Sequence, residues 1–294
     1  MGKAERNRRQ SARERIAAQQ AAARRAERRR QLLLTGGSVA AVLAIVVAFV
    51  VVKSLGGPAS AGSGKATASA DLLKKVTSVP ASTLDSIGKG TANPKAILPI
   101  SGTPLTRDGK PEVLYMGALY CPFCATERWA MAVALSRFGT LSGVKFIHSS
   151  ANDTPASIPT MTFYKAGYTS KYISFTAVEM QDVNRATLQA PTAAQNAVLT
   201  KYDAPPQVPS SEAGSIPFID FGNKFMASGA SYSYTVLQDK SYAQIAAALA
   251  NPKDPIAKGA NGAANMITAA ICKLTNNQPA TACTATVQSI EGAF

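Results

Sequence analysis

Cys121-Pro122-Phe123-Cys124 directly follows an unbroken apolar run, Val113-Leu114-Tyr115-Met116-Gly117-Ala118-Leu119-Tyr120, and opens a helix-like stretch that reaches about residue 138. A short apolar run of this kind is a strand buried on both faces. The chain must therefore set two thiols where a core strand turns into a helix. Cysteines three apart at such a junction can form and break an S–S bond without moving the scaffold. Unpaired N–H groups of the first turn and the positive end of the helix dipole favour a thiolate on Cys121 over Cys124. Cys121 is the expected nucleophile, with a pKa below the ordinary value of about 8.5, and Cys124 is the resolving thiol. Pro122 suits the first helical position, where its φ is already right and its missing N–H would have bonded nothing.

Zinc sites also use C-x-x-C. Zinc needs four ligands, however, and the rest of the chain offers only His148, Cys272 and Cys283, the last two eleven apart rather than at a knuckle spacing. A purely structural disulfide inside so short a loop would be strained and easily reduced. Dithiol/disulfide chemistry fits best, and neither a metal nor a cofactor is expected.

Gly143-Val144-Lys145-Phe146-Ile147-His148 reads as a second strand, completing a strand–helix–strand unit of the right-handed crossover type. Much later, Ser215-Ile216-Pro217-Phe218-Ile219-Asp220-Phe221, then Gly222-Asn223, then Lys224-Phe225-Met226, reads as a hairpin with a glycine-led two-residue turn, entered through an X-Pro bond.

With these elements in place, residues 108–250 resemble the thioredoxin superfamily and, within it, the DsbA-like thiol oxidoreductases. The resemblance rests on Tyr120-Cys121-Pro122-Phe123-Cys124, with an aromatic before the first cysteine, and on Ile216-Pro217. It implies an α/β, thioredoxin-like fold in which the Ile216–Pro217 bond is cis and lies against the dithiol, leaving the Ile216 backbone free to pair with an incoming peptide. From Cys121 to Pro217 is 96 positions, so an insertion lies between the dithiol helix and the hairpin. The chain also resembles a group of membrane-anchored, thioredoxin-like proteins of actinobacteria and archaea, which lends no activity.

Two departures bear on the chemistry. The family often has a buried acid six positions before the first cysteine, where this chain has Tyr115. DsbA has histidine between its cysteines, where this chain has Phe123, which donates nothing to a thiolate. A less stabilised thiolate makes the disulfide less oxidising. Glu127, one turn beyond Cys124, is the candidate replacement for the acid, although surface helical glutamates are usually solvated and it is expected to face solvent. Trp129, the only tryptophan, is read as core packing, and His148, the only histidine, as a strand-end residue.

Residues 1–31 carry eleven Lys or Arg against three Glu, a net of +8 out of +14 for the whole chain. Residues 32–52 then contain no charge and are long enough to cross a hydrocarbon core of about 30 Å as a helix. The positive-inside rule places the basic segment in the cytoplasm and everything after Lys53 outside the cell membrane. Ala59-Ser60-Ala61 looks like a signal-peptide cleavage site, but the apolar run exceeds a signal core of about 7 to 15 residues, which favours an uncleaved anchor. The basic segment lacks aromatics for base stacking and adjoins the span, so adhesion to anionic headgroups explains it better than nucleic-acid binding.

Residues 53–70, rich in Gly, Ala and Ser, read as a flexible linker, and residues 71–294 as one extracytoplasmic domain with a helical lead-in over 71–90. Outside the cytoplasm disulfides persist, and Cys272 with Cys283 is read as a structural disulfide between two C-terminal helices. The function expected is disulfide exchange with exported protein thiols, in the oxidising or isomerising direction ahead of the reducing one, with a membrane redox partner to recycle the pair. Tyr115 in place of the acid leaves open a second function, a non-catalytic thioredoxin-like protein that binds a peptide or a membrane partner.

Overall fold

The computed structural model describes residues 61–292 and 294. The basic segment, the apolar run at 32–52 and the first part of the linker lie outside the described residues. The chain divides into two units after Gly62, and the second, Ser63–Phe294, holds the sheet and the helices packed on it. Among the described residues no helix is long and apolar enough to cross a membrane.

The first element is already a difference from expectation. Helix α1 (Ala61–Thr77) runs through the second half of the stretch expected as linker. Alanine is the best helix former, and Val76 is fully buried with Leu72 and Leu73 packed beside it, so tertiary packing supports this helix. A second helix, α2 (Ala81–Ile87), follows Pro80.

The central sheet is mixed, and the fold is α/β. Strand β3 (Lys110–Gly117) is flanked on one side by β8 (Ser174–Glu179), parallel to it, and on the other by β9 (Phe218–Phe221), antiparallel. Beyond β9 come β10 (Phe225–Ser228) and β1 (Leu98–Pro99), each antiparallel to its neighbour. A short strand, β2 (Thr106–Arg107), folds back on the start of β3. Helix α3 (Pro122–Ser136) lies in the connection from β3 to β8.

This corrects the strand expected at 143–148. Those residues form β5 (Lys145–His148), which pairs with β6 (Pro159–Thr162) in a separate ribbon, while β4 (Gly139–Ser142) pairs with β7 (Gly167–Ser170) in another. The strand beside β3 is β8. A short run with two apolar residues at its centre announces a strand but not its partner. In β5 the half-buried Phe146 packs on Trp129 and on Tyr242, at ring centroid distances of 5.9 and 5.5 Å, which holds the ribbon against α3 rather than in the sheet. The inserted chain thus lies on both sides of β8.

Both faces of the sheet are covered, which accounts for the unbroken apolar run in β3. Val113, Tyr115, Ile219, Phe221 and Ala227 face the larger core, shared with α3 and with α6 (Pro255–Leu274). Leu114, Met116, Phe218 and Met226 face a smaller core closed by Val208 and by Tyr202 at the end of α4 (Ala193–Tyr202). The hairpin turn matches its residues: Gly222 and Asn223 have φ of 63° and 55°, and the Lys224 N–H donates to the Phe221 carbonyl at 3.0 Å, the geometry that suits right-twisted strands.

Helix α6 is buried along nearly its whole length. Its polar side chains serve as ties: the Asn261 amide donates to the Leu249 carbonyl beyond α5 (Tyr242–Ala248), and the Asn265 amide to the Leu84 carbonyl of α2 and the Gly88 carbonyl at its C-cap. Cys272, in α6, is disulfide-bonded to Cys283, just before α7 (Ala285–Glu291), and both are buried. Closing a loop of this length contributes on the order of 3 kcal/mol in the chain-entropy model.

Candidate functional site

Cys121 is the N-cap of α3. Its φ and ψ of −71° and 122° are extended, and its Sγ accepts the Cys124 N–H at 3.2 Å. Sulfur here occupies the position that a serine or aspartate oxygen usually takes at a helix start, with Pro122 at the first helical position. Cys121 and Cys124 are free thiols. Both are buried, Cys121 keeping 4% of its residue surface exposed and Cys124 none, so only the first residue of the pair reaches solvent.

The two thiols are held in opposite electrostatic states. A hydrogen bond from the Cys124 thiol lowers Cys121 below its ordinary pKa against the opposing effect of burial, with the Cys124 and Phe123 N–H groups and the Arg128 charge acting in the same downward direction. Burial raises Cys124 well above its ordinary value, and its hydrogen bond to Cys121 and the Cys121 charge add to that. The pair can hold one ionised sulfur while keeping a proton on the second.

Ile216 and Pro217 lie at this sulfur. The Cys121 thiol donates to the Ile216 carbonyl at 3.7 Å, the Ile216–Pro217 bond is cis, and Ile216 packs on the cluster of Ala118, Cys121 and Cys124. Residues 95 apart in sequence are joined here because β9 pairs directly with β3. Tyr120 stands at the rim under the Arg185 guanidinium, 3.8 Å above its ring, and Arg185 pairs with Asp153 at 2.8 Å. Phe123 is 43% exposed and meets Tyr234 edge-on with ring centroids 6.1 Å apart.

Beneath the thiols lies an ion pair that no motif in the sequence announces. Arg128 and Glu179 have fully buried side chains: Nε donates to Oε1 at 2.9 Å and Nη2 to Oε2 at 2.6 Å. Nη2 also donates to the Ala118 carbonyl at 2.8 Å, and the guanidinium carbon lies 5.8 Å from the Tyr115 ring centroid. Tyr115, at the position of the absent acid, is wholly buried, and burial raises its phenol well above the ordinary value.

Glu127 does not face solvent, contrary to expectation. It is fully buried, with Oε2 accepting the Ser231 N–H and Oε1 the Ser231 hydroxyl, both at 2.8 Å. Burial pushes its carboxyl up to about 7, against the lowering effect of the two Ser231 hydrogen bonds. It clips α3 to the segment after β10. The signal was present: α3 has no polar face to carry two adjacent charges, and a helix that is apolar all round is buried. Trp129 is buried, its indole donating to the Pro159 carbonyl at 2.9 Å. His148 ends β5 with Nδ1 at 2.8 Å from the Tyr242 hydroxyl. Cys272 and Cys283, being bonded to each other, are removed from any ligand set.

Against known proteins, the model of one family, described as a domain of unknown function (DUF929), matches residues 96–273. That span takes in every strand of the sheet, α3, the Ile216–Pro217 bond and most of α6. No curated protein and no solved structure matches the chain.

Proposed function

The chain belongs to the DUF929 family, and on that premise we propose that it is a thiol-disulfide oxidoreductase of thioredoxin-like fold, acting on protein thiols through Cys121 and Cys124. The observation that carries this reading is the Cys121 sulfur at the start of α3, lowered in pKa and 3.7 Å from the Ile216 carbonyl, in a residue that keeps 4% of its surface exposed. A β–α–β unit with the dithiol helix in its crossover, followed by a hairpin on the other side of β3, supports the thioredoxin-like assignment. The proposal includes the setting: residues 32–52 as a single membrane span, the domain outside, and exported proteins as clients.

In the oxidising direction a client thiolate attacks Cys121 Sγ, and the Cys121–Cys124 bond breaks with its electron pair on Cys124. A second client thiolate then attacks the client sulfur of the mixed disulfide, and Cys121 leaves as a thiolate. In the reducing direction the Cys121 thiolate attacks the client disulfide, and Cys124, once deprotonated, displaces the client sulfur. Oxidation or isomerisation is favoured by the compartment.

Trapping tests this. A Cys124→Ser variant should accumulate mixed disulfides with exported proteins through Cys121, while Cys121→Ser should not. The wild type should catalyse insulin reduction or oxidation of a reduced protein. A Cys121 pKa at or above about 8.5 with neither activity would instead assign a non-catalytic binding role.

A further inference from the structure

We infer that Arg128 stabilises the thiolate left on Cys124 when the Cys121–Cys124 disulfide opens, taking the part that a buried acid cannot play where Tyr115 stands. The inference rests on the exchange function proposed for the same site. Cys124 and Arg128 are four apart on α3, one turn on the same helix face. Ala118, whose carbonyl accepts from Arg128 Nη2, belongs to the same buried cluster as both cysteines. The guanidinium is therefore fully buried and tied to the cluster that holds the dithiol.

Its hydrogen bonding is unbalanced. Nε and Nη2 are taken by Glu179 and Ala118, but buried Nη1 has no partner, and neither has the buried Tyr115 hydroxyl beside it. Unmade buried donors are costly, and in a resting structure they call for an explanation. A negative charge arising on a neighbouring sulfur supplies one. Both sulfurs sense the Arg128 charge as a lowering influence.

The step balances. A client thiolate attacks Cys121 Sγ and forms the client–Cys121 bond. The Cys121–Cys124 bond breaks, and its electron pair stays on Cys124 as a thiolate in a site closed to solvent. Burial alone would oppose that charge, and Arg128 offsets it until the sulfur takes a proton or attacks back. The charged and titratable groups around this point are Tyr115 from β3, Arg128 and the two cysteines from α3 and its cap, and Glu179 from β8. Glu127 is engaged with Ser231. Arg128 is thus a positioning residue for charge, and Glu179 sets how much of its charge reaches the sulfurs.

Opposite signs from the two partners test this. In the purified full chain, the rate at which reduced glutathione opens the Cys121–Cys124 disulfide reads the Cys124 leaving group, and iodoacetamide alkylation of the reduced protein against pH reads Cys121. Arg128→Met should slow opening about threefold, as departure of a less stabilised thiolate does, and slow alkylation as well. Glu179→Gln, which frees the cation, should speed both, and Arg128→Lys should lie near the wild type. The Arg128→Met/Glu179→Gln pair, with neither charge of the buried ion pair, covers the case in which Arg128→Met alone fails to fold, and should also open more slowly than the wild type. Shifts of the same sign in the arginine and glutamate variants, or a folded arginine variant unchanged in both readouts, overturn the inference. Opposite shifts in a protein that exchanges with no protein thiol would sink the exchange reading while leaving the electrostatic role of Arg128 standing.

Discussion

Single residues decide the chemistry and the pH response of this domain. Glu127 is raised from 4.5 to about 7 by burial, and Asp220 from 3.8 to about 7, also mainly by burial. An acid raised on folding binds its proton more tightly in the native state, so its stabilising effect is full below the unfolded pKa and is lost as pH rises through the folded one. Stability should therefore fall between about pH 4.5 and 7 and level off above, with Glu127 contributing on the order of 3 kcal/mol. Urea midpoints measured at pH 5 and 8 should differ clearly in the wild type, about half as much in Glu127→Gln, and much less in Glu127→Gln/Asp220→Asn. Equal midpoints in the wild type would mean that water reaches the carboxylate. At this scale the cysteines were legible because residue type and spacing carry their chemistry, and Ile216 and Pro217 only through the resemblance that the cysteine motif brought. Arg128 and Glu179 were not, because nothing in the spacing says that an arginine on α3 faces a glutamate on a strand 51 positions away.

Among the elements, α3, the β9–β10 hairpin and the C-terminal helices could be read from periodicity and turn residues, whereas the placement of β5 and β8 could not. A sheet neighbour is chosen by long-range packing, and the short ribbon strands between α3 and β8 carry no local mark that sets them apart from sheet strands. Tight packing between elements also sets the effect of small substitutions. In α6, a Cβ added at Gly262 would stand 2.3 Å from the Lys89 carbonyl oxygen. Alanine gains about 1 kcal/mol over glycine in helix propensity, but forcing a methyl group against backbone costs about 1–3 kcal/mol. The clash should win, and Gly262→Ala should lower the thermal midpoint. A raised midpoint would show that the loop at Lys89 and Gly90 yields freely.

For the whole molecule, the two cysteine pairs divide the work. Cys272–Cys283 braces the end of α6 against the turn before α7, and Cys121 and Cys124 are left as thiols. Replacing both Cys272 and Cys283 by alanine should cost about 2–5 kcal/mol, measured by chemical denaturation, while the folded fraction still alkylates at Cys121 with unchanged pH dependence. A changed thiol profile would mean that the brace also shapes the site. The family match begins at residue 96 and ends at residue 273, so it holds Cys272 but not Cys283.

The almost complete burial of α6 has a consequence for how the domain comes into being. Every strand precedes this helix in the chain, and α2, which α6 contacts through Asn265, lies about 180 positions upstream. During synthesis the sheet therefore emerges with the part of its larger apolar face that α6 covers still bare, and stays so until α6 arrives. Cys121 and Cys124 exist before the core that supports them, and over that interval the nascent chain is exposed to aggregation.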